Sequence, residues 1–270
     1  FEEVVYDGKR TALAGALAAG LTTLAGRALA VARANRGTRD FTYIILRRAL
    51  EETVAWFPVY RTYVSPRGPS ALDRHYIEWA VSRARRRSRI ADASVFAFVR
   101  SLLLAEVPNG ASEDEQARRL GFAIAFQQFT PPVAAKGIED TSFYRYTRLV
   151  TLNEVGGHPA SFGMTRRAFH RTVRERFLRW PSSLLATSTH DNKRSEDVRA
   201  RIDVISERPA QWRLAVRRWR HLNRAAKRDI DGKPAPSAND EYLLYQTLVG
   251  TFPVGVQEAN ALDEYRRRIE

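Results

Sequence analysis

A mainly helical fold is predicted by three features of the 270-residue sequence. Apolar residues recur at three- and four-residue steps through most of the chain. Several of these runs begin near Asp, Ser or Asn and end near Pro, as helices do. Short apolar or β-branched stretches are confined to the middle third, so only a few strands are expected.

Taken in order, Ala12 to Arg36 is rich in Ala and Leu without an interior Pro and reads as a helix by propensity. Asp40 is a candidate N-cap for "FTYIILRRALEETVAWFP", where Ile44, Ile45, Leu46, Ala49, Leu50 and Val54 are the apolar positions and Pro58 is the stop. Beyond the break "VSPRGPS", Leu72, Tyr76, Trp79 and Ala80 make one apolar stripe, and Arg85, Arg86 and Arg87 read as a solvated helix end. Further helices are expected from Ala93 to Glu106, after Asp92, and from Ser112 to Gln127, whose first-turn acids suit the helix dipole and which Pro131-Pro132 should end. Pro209 opens another helix, with Trp212, Val216, Trp219, Leu222 and Ala226 as its core face. "DIDGKPAPSAND" reads as a loop, with Asn239 or Asp240 capping "EYLLYQTLVG". Between these blocks, "RLVTLNEVGGHP" and "SLLATS" read as strands that run into polar loops. The corresponding organisation is a helical part at 1–125, a middle segment at 126–205 and a second helical part at 206–270.

Composition narrows the function classes. The 44% hydrophobic share is enough to fill a core, and 44 Lys and Arg against 30 Asp and Glu give +14, which makes anionic partners worth testing. Many of the arginines are interleaved with Glu and Asp at helical spacing, so solvated helix faces account for much of the excess and nucleic acid is disfavoured as a partner. A basic nucleic-acid-binding module using "SRARRRSR" and "RRWRHLNRAAKR" stays as one competing reading, and a non-catalytic helical scaffold as another. Cysteine is absent, which excludes disulfides, thiolate zinc sites and cysteine nucleophiles, and a cytosolic setting fits. No apolar run approaches the roughly 20 residues needed to span a bilayer, and no secretory signal pattern is present, so no membrane partner is expected. The chain opens on Phe1 and not on Met, so it is expected to be an internal part of a longer polypeptide, with upstream and downstream parts as its covalent partners.

The five histidines, His75, His158, His170, His190 and His221, form no compact metal-binding spacing, and neither a nucleophile-elbow nor a P-loop pattern occurs. Neither a metal nor another cofactor is therefore expected. Chemistry is instead concentrated in three clusters, "AAKGIEDTSFYRY" at 134–146, "LNEVGGHP" at 152–159 and "STHDNKRSEDVRAR" at 188–201. Carboxylates and arginines hydrogen-bond vicinal hydroxyls while aromatic faces cover the apolar side of a sugar ring, so a carbohydrate is the candidate ligand.

The same clusters carry a family resemblance. "QQFTPPVAAKGIEDTSFYRYTRLVTLNEVGGHP" and "LLATSTHDNKRSEDVRARIDVISERP" resemble the maltooligosyltrehalose synthases, trehalose-forming members of the α-amylase superfamily; "WFPVYRTYV" at 56–64 and "EYLLYQTLVGTFP" at 241–253 are similar to that family as well. The resemblance implies a helical insertion joined to part of a (β/α)8 barrel. It implies an intramolecular transglucosylation that turns the reducing-end α-1,4 link of a maltodextrin into an α,α-1,1 link. Such retaining chemistry needs a carboxylate nucleophile and an acid/base about 5 Å apart. By the resemblance both lie upstream of this chain, which alone should be inactive. "THD" matches the superfamily's third aspartate and its histidine, which makes Asp191 the transition-state stabiliser and His190 its neighbour in the site. Lys136, Glu139, Asp140, Tyr144, Arg145, Asn153, Glu154 and His158 are implied to line the substrate cleft. Lys193 and Arg194 are implied to contact substrate or to pair with the charge of Asp191.

Overall fold

The computed structural model describes residues 1–90, 92–253 and 259–269. Two compact units divide the chain, Phe1–Ser142 and Phe143–Glu270.

In the first unit the apolar periodicity resolves into six helices, α1 (Glu2–Ala14), α2 (Ala18–Arg33), α3 (Tyr43–Ala55), α4 (Ala71–Arg87), α5 (Ser94–Leu103) and α6 (Glu113–Ala134), followed by a π-helix at Ala135–Ser142. Leu13, Leu21, Leu46, Leu50, Ile77 and Leu102 are fully buried in one core with Phe57, Phe96, Phe122 and Phe126. Side-chain caps set several helix starts. Thr42 accepts from the Ile45 amide at 3.3 Å, so the cap falls two residues beyond the expected Asp40. Ser70 and Asp73 form a reciprocal capping box on α4, and the Asp73 carboxylate also accepts from the Tyr63 amide at 2.8 Å. Burial opposes ionisation of Asp73, but these hydrogen bonds prevail and its pKa is lowered.

Four expectations are corrected here. The run from Ala12 to Arg36 is not one helix: α1 and α2 meet at a bend of 84°. Gly15, at φ −105° and ψ −111°, supplies the non-helical backbone, and tertiary packing overrides propensity because α2 must bring Gly20 against the Phe129 ring. Pro131-Pro132 does not end α6, although an interior proline costs about 3 kcal/mol or more. Phe126, Phe129, Val133 and Ala134 are buried on both sides of the pair, and that packing carries the helix through. The buried stripe of α4 is rotated from the expected one, with Ile77, Ala80, Val81 and Ala84 inside and Leu72 58% exposed. Finally, at the arginine-rich end of α4, Arg85 and Arg86 are exposed as expected, but Arg87 is not merely solvated. Arg83 pairs with Glu2 at 2.6 Å and Arg87 with Glu3 at 2.7 Å, while Arg83 also lies over the rings of Trp56 and Trp79.

The contact between α1 and the π-helix is made by two glycines. A Cβ on Gly8 would lie 2.4 Å from the Gly137 carbonyl oxygen, and one on Gly137 would lie 2.5 Å from Cγ of Lys9. Only glycine allows backbones this close. Lys9 is 3% exposed, and its ammonium donates to the Phe57 carbonyl at 2.6 Å.

In the second unit, α7 is a single turn at Phe143–Arg145, followed by a 3-10 turn at Val150–Leu152, α8 (Arg166–Arg179), α9 (Glu196–Glu207), α10 (Pro209–Leu222), β1 (Arg228–Ile230), β2 (Lys233–Ala235), α11 (Ala238–Thr251) and α12 (Ala259–Ile269). A small core of Val150, Ile202 and Ile205 is covered by Leu149, Val198, Trp212, Leu243 and Val249. Buried Gln246 on α11 ties the 3-10 turn down, its oxygen accepting from the Val150 amide at 3.0 Å and its amide donating to the Thr147 carbonyl at 2.7 Å. Glu241 on the same helix is 3% exposed and is met by Lys227 at 2.7 Å and by the Tyr245 hydroxyl at 2.8 Å. Burial would raise its pKa, yet these partners hold it below the usual carboxylate range.

The expected strands are also corrected. "RLVTLNEVGGHP" folds as the 3-10 turn and a glycine turn, and "SLLATS" is exposed chain without regular structure. A strand forms only where a neighbour can take its backbone hydrogen bonds, and among the described residues neither segment has one. The two strands that form among the described residues lie in the segment read as a loop, where Asp231-Gly232, at φ 53° and 75°, makes a hairpin turn that pairs Ile230 with Lys233. Ser237 caps α11 in place of Asn239 or Asp240, accepting from the Asp240 amide at 3.2 Å. On α10, Trp212 and Trp219 stack edge to face at 5.7 Å, but Leu222 is 63% exposed and Ala226 lies beyond the helix, so the expected core face is shorter. Residues 160–190 contribute almost nothing to the core: α8 buries no side chain, and Phe162, Trp180 and Leu184 are exposed. No single helix among the described residues is long and apolar enough to cross a membrane.

Burial lowers the pKa of Lys9 to about 8. Between that value and the ordinary one the unfolded chain binds a proton that the folded chain does not, so the contribution of Lys9 to stability rises with pH across that window. The penalty below it is about 3 kcal/mol. Urea midpoints measured at pH 7 and pH 9.5 should therefore rise in the parent chain by more than in Lys9→Met. Gly8→Ala is expected to cost about 1–3 kcal/mol by overpacking against Gly137, read by thermal unfolding.

Candidate functional site

The π-helix of the first unit carries Lys136, Glu139 and Asp140. Such wide turns recur at functional positions because they reorient side chains within a helix. Here the Lys136 ammonium donates to Asp140 at 2.7 Å, which raises the lysine pKa. Glu139 accepts from the Tyr60 hydroxyl. Burial, and then the carboxylate, raise the Tyr60 pKa, so the phenol stays a donor. Tyr60 lies in "WFPVYRTYV", whose fixed position follows from the Asp73 cap and from Gln127, which donates to the Val64 carbonyl at 3.1 Å.

The remaining expected site residues lie in the second unit. Glu154 is 8% exposed, and its carboxylate accepts from the side-chain amide of Asn192 at 2.8 Å, the Lys193 amide at 2.8 Å and the Arg194 amide at 2.9 Å. This cradle of donors is what a buried carboxylate requires. Gly156 at φ 76° and Gly157 form the turn that directs Glu154 inward; the Gly157 amide donates to the Glu154 carbonyl at 2.7 Å, and a Cβ there would sit 2.7 Å from the Leu152 carbonyl oxygen.

Asn192 also closes the turn that begins at Thr189. Its amide donates to the Thr189 carbonyl at 3.3 Å and its side-chain oxygen accepts from the Thr189 amide. His190 and Asp191 are the two central residues of that turn, with side chains 96% and 70% exposed and Nδ1 3.0 Å from Oδ1. A carboxylate presented in this way is open to the paired hydroxyls of a sugar.

Around this turn the structure gathers Tyr144, Glu154, Lys193 and Arg194. The Lys193 ammonium lies 5.9 Å from the centre of the half-exposed Tyr144 ring. Arg194 donates to the Val150 carbonyl at 3.3 Å, and burial pulls its guanidinium pKa down against the opposing charge of Glu154. Asn153 is fully buried and donates to the carbonyls of Phe143 at 2.7 Å and Tyr146 at 2.6 Å, closing the segment that carries Tyr144. Arg145 is exposed, its carbonyl accepting from Asn239 at 3.3 Å. His158 is exposed too, and its carbonyl accepts from the Ser161 amide at 2.8 Å.

Tyr60 and Asn192 were not singled out by sequence reasoning. Asn192 carried a signal in its side chain's tendency to close local turns, whereas Tyr60 was marked only by its place in "WFPVYRTYV", its partner being 79 residues away. Among the described residues no group of three or more His, Asp or Glu side chains is placed to hold a metal ion.

Asn153→Ala strands two carbonyls in the interior. It should lower stability by about 1–3 kcal/mol in thermal unfolding.

No family model matches the chain. Two curated Mycobacterium tuberculosis proteins, whose names assign them to the maltooligosyl trehalose synthases, are 42% identical to it over 140 residues, which is 52% of this chain and 17% of theirs. Among solved structures, a variant of the maltooligosyltrehalose synthase of Arthrobacter ramosus matches 100% of this chain with 30% of its own, at 30% identity and a TM-score of 0.72. A Sulfolobus tokodaii chain described as a hypothetical maltooligosyl trehalose synthase matches 99% with 29% of its own, at 27% identity and a TM-score of 0.65. By sequence and by fold, the chain is similar throughout its length to a part, just under a third, of these maltooligosyltrehalose synthases.

Proposed function

We propose that this chain supplies one side of the sugar site of a maltooligosyltrehalose-forming transglucosylase acting on maltodextrins. The observation that carries the proposal is the anchored turn at Thr189–Asn192, which holds His190 and Asp191 out from the protein surface within the segment that resembles the family.

The reaction moves the reducing-end glucose from an α-1,4 to an α,α-1,1 link within one molecule. A nucleophilic carboxylate and an acid/base carry it through an oxocarbenium-like state. Asp191 is suited to accept hydrogen bonds from two neighbouring hydroxyls of the distorted ring, an interaction that strengthens as positive charge develops beside it. His190 orients the carboxylate through the Nδ1 contact and leaves its other ring nitrogen facing outward for a sugar hydroxyl. Lys193 with Tyr144 offers a cation and a ring face for an adjacent sugar. On the first unit, taken by itself, Lys136, Glu139 and Asp140 of the π-helix are proposed as hydroxyl contacts. The roles of nucleophile and acid/base are not assigned to Glu139, Asp140 or Glu154, whose carboxylates are held by Tyr60, Lys136 and the 192–194 amides. The lack of cysteine supports a cytosolic setting for this activity.

In the intact enzyme, Asp191→Asn should reduce turnover of maltohexaose by about 100-fold or more with the fold unchanged by circular dichroism. Near-normal turnover would remove Asp191 from the site. The 270-residue chain by itself is expected to leave the reducing ends of maltohexaose intact. Sustained loss of reducing ends, assayed on the pure chain, would mean that nucleophile and acid/base both lie within it.

A further inference from the structure

We infer that Glu154 is a positioning residue for the His190–Asp191 turn and not a substrate contact, acting through Asn192. The inference rests on the functional reading above for its consequence in catalysis, and on the geometry alone for the latch itself.

The first observation is saturation. Oε2 of Glu154 accepts from Asn192 Nδ2 and from the Lys193 amide, both at 2.8 Å, and Oε1 accepts from the Arg194 amide at 2.9 Å. With 8% of the residue exposed, little of this carboxylate remains for a sugar hydroxyl. The second observation is relay. The Asn192 side chain that donates to Glu154 uses its other atom to accept from the Thr189 amide, so one carboxamide joins the buried carboxylate to the residue preceding His190. The third is that the anchor is itself fixed: the Gly156-Gly157 turn leaves no room for a Cβ at 157 and sets the direction of Glu154. His190 and Asp191 make no comparable contact with the buried interior, their side chains being 96% and 70% exposed. Their placement is therefore set from behind, by residues about forty positions earlier in the chain.

The chemistry of the latch is specific to a carboxylate. Both Glu154 oxygens face backbone N–H groups, so a glutamine in either orientation turns its NH2 toward at least one of them and sets donor against donor. Glu154→Gln therefore breaks the latch while preserving size, and Glu154→Asp retains the charge. Asn192→Asp tests the relay separately, by facing a second carboxylate toward Glu154.

The test uses the intact protein. In Glu154→Gln, exchange of the Lys193 and Arg194 amides should accelerate by about tenfold or more, while the Ile202–Ile205 part of α9 keeps its protection. With maltohexaose, kcat should fall while KM stays within about twofold, and the double variant with Asp191→Asn should be no slower than Asp191→Asn alone, because both act on one group. Glu154→Asp should recover part of kcat. Unchanged exchange at Lys193 and Arg194, in Glu154→Gln and in Asn192→Asp alike, overturns the latch. A raised KM with normal kcat overturns it too, since that marks a substrate contact, as do losses that multiply in the double variant. If Asp191→Asn alone leaves kcat intact, the functional reading fails, and the exchange result still decides whether Glu154 holds the turn.

Discussion

A carboxylate withdrawn from water has to be met by donors, and in this chain that requirement organises the loop richest in functional groups. Glu154 accepts from two backbone amides and a carboxamide. Solvating one negative charge by fixed dipoles costs less than leaving it buried and unmet, and the donors must then stay where the charge needs them. The position of Lys193 over Tyr144, the course of Arg194 toward the Val150 carbonyl and the projection of His190 and Asp191 all follow from that arrangement. A loop that would otherwise sample many conformations has lost that freedom before any ligand arrives, which is how a site gains affinity without gaining contacts.

The first unit solves a different problem with a similar economy. Its π-helix lies against α1 at glycine-to-glycine distance, so backbone packing places the side chains it bears. Lys9 fills the space under Gly137 and caps the end of the α3 region through Phe57, shortly before Tyr60, which in turn holds Glu139. A buried lysine is an unfavourable way to fill that space at neutral pH. Its retention of a hydrogen bond to a carbonyl that would otherwise be orphaned is the compensating gain.

How much of this could be read from the residues depended on the range of the interaction. Helices α3, α5 and α6 were visible because their apolar spacing is local, and their N-cap residues Thr42, Ala93 and Ser112 fall within two residues of the expected caps. The 84° bend after α1, the passage of α6 through two prolines and the failure of "SLLATS" to become a strand were not visible, since each is decided by what packs or pairs against the segment. The hairpin at Asp231-Gly232 was legible in principle, its dipeptide being a strong turn signal that the surrounding Pro and Ser residues obscured. Within the candidate site, the motif around Asp191 drew attention to the loop, while the contact of Glu154 with Asn192 spans 38 residues and no spacing rule encodes it.

Residues 160–190 give the molecule a further property. Phe162, Met164, Phe169, Phe177, Trp180 and Leu184 are all more than half exposed, on a stretch that also carries many arginines, in a chain of charge +14. At low ionic strength, mutual repulsion keeps such surfaces apart. As salt shortens the Debye length to about 10 Å at 0.1 M, that repulsion fades while the attraction between apolar faces does not. For the 270-residue chain taken by itself, this balance makes self-association through the 160–190 stretch a process that salt favours, the reverse of an association held by ion pairs.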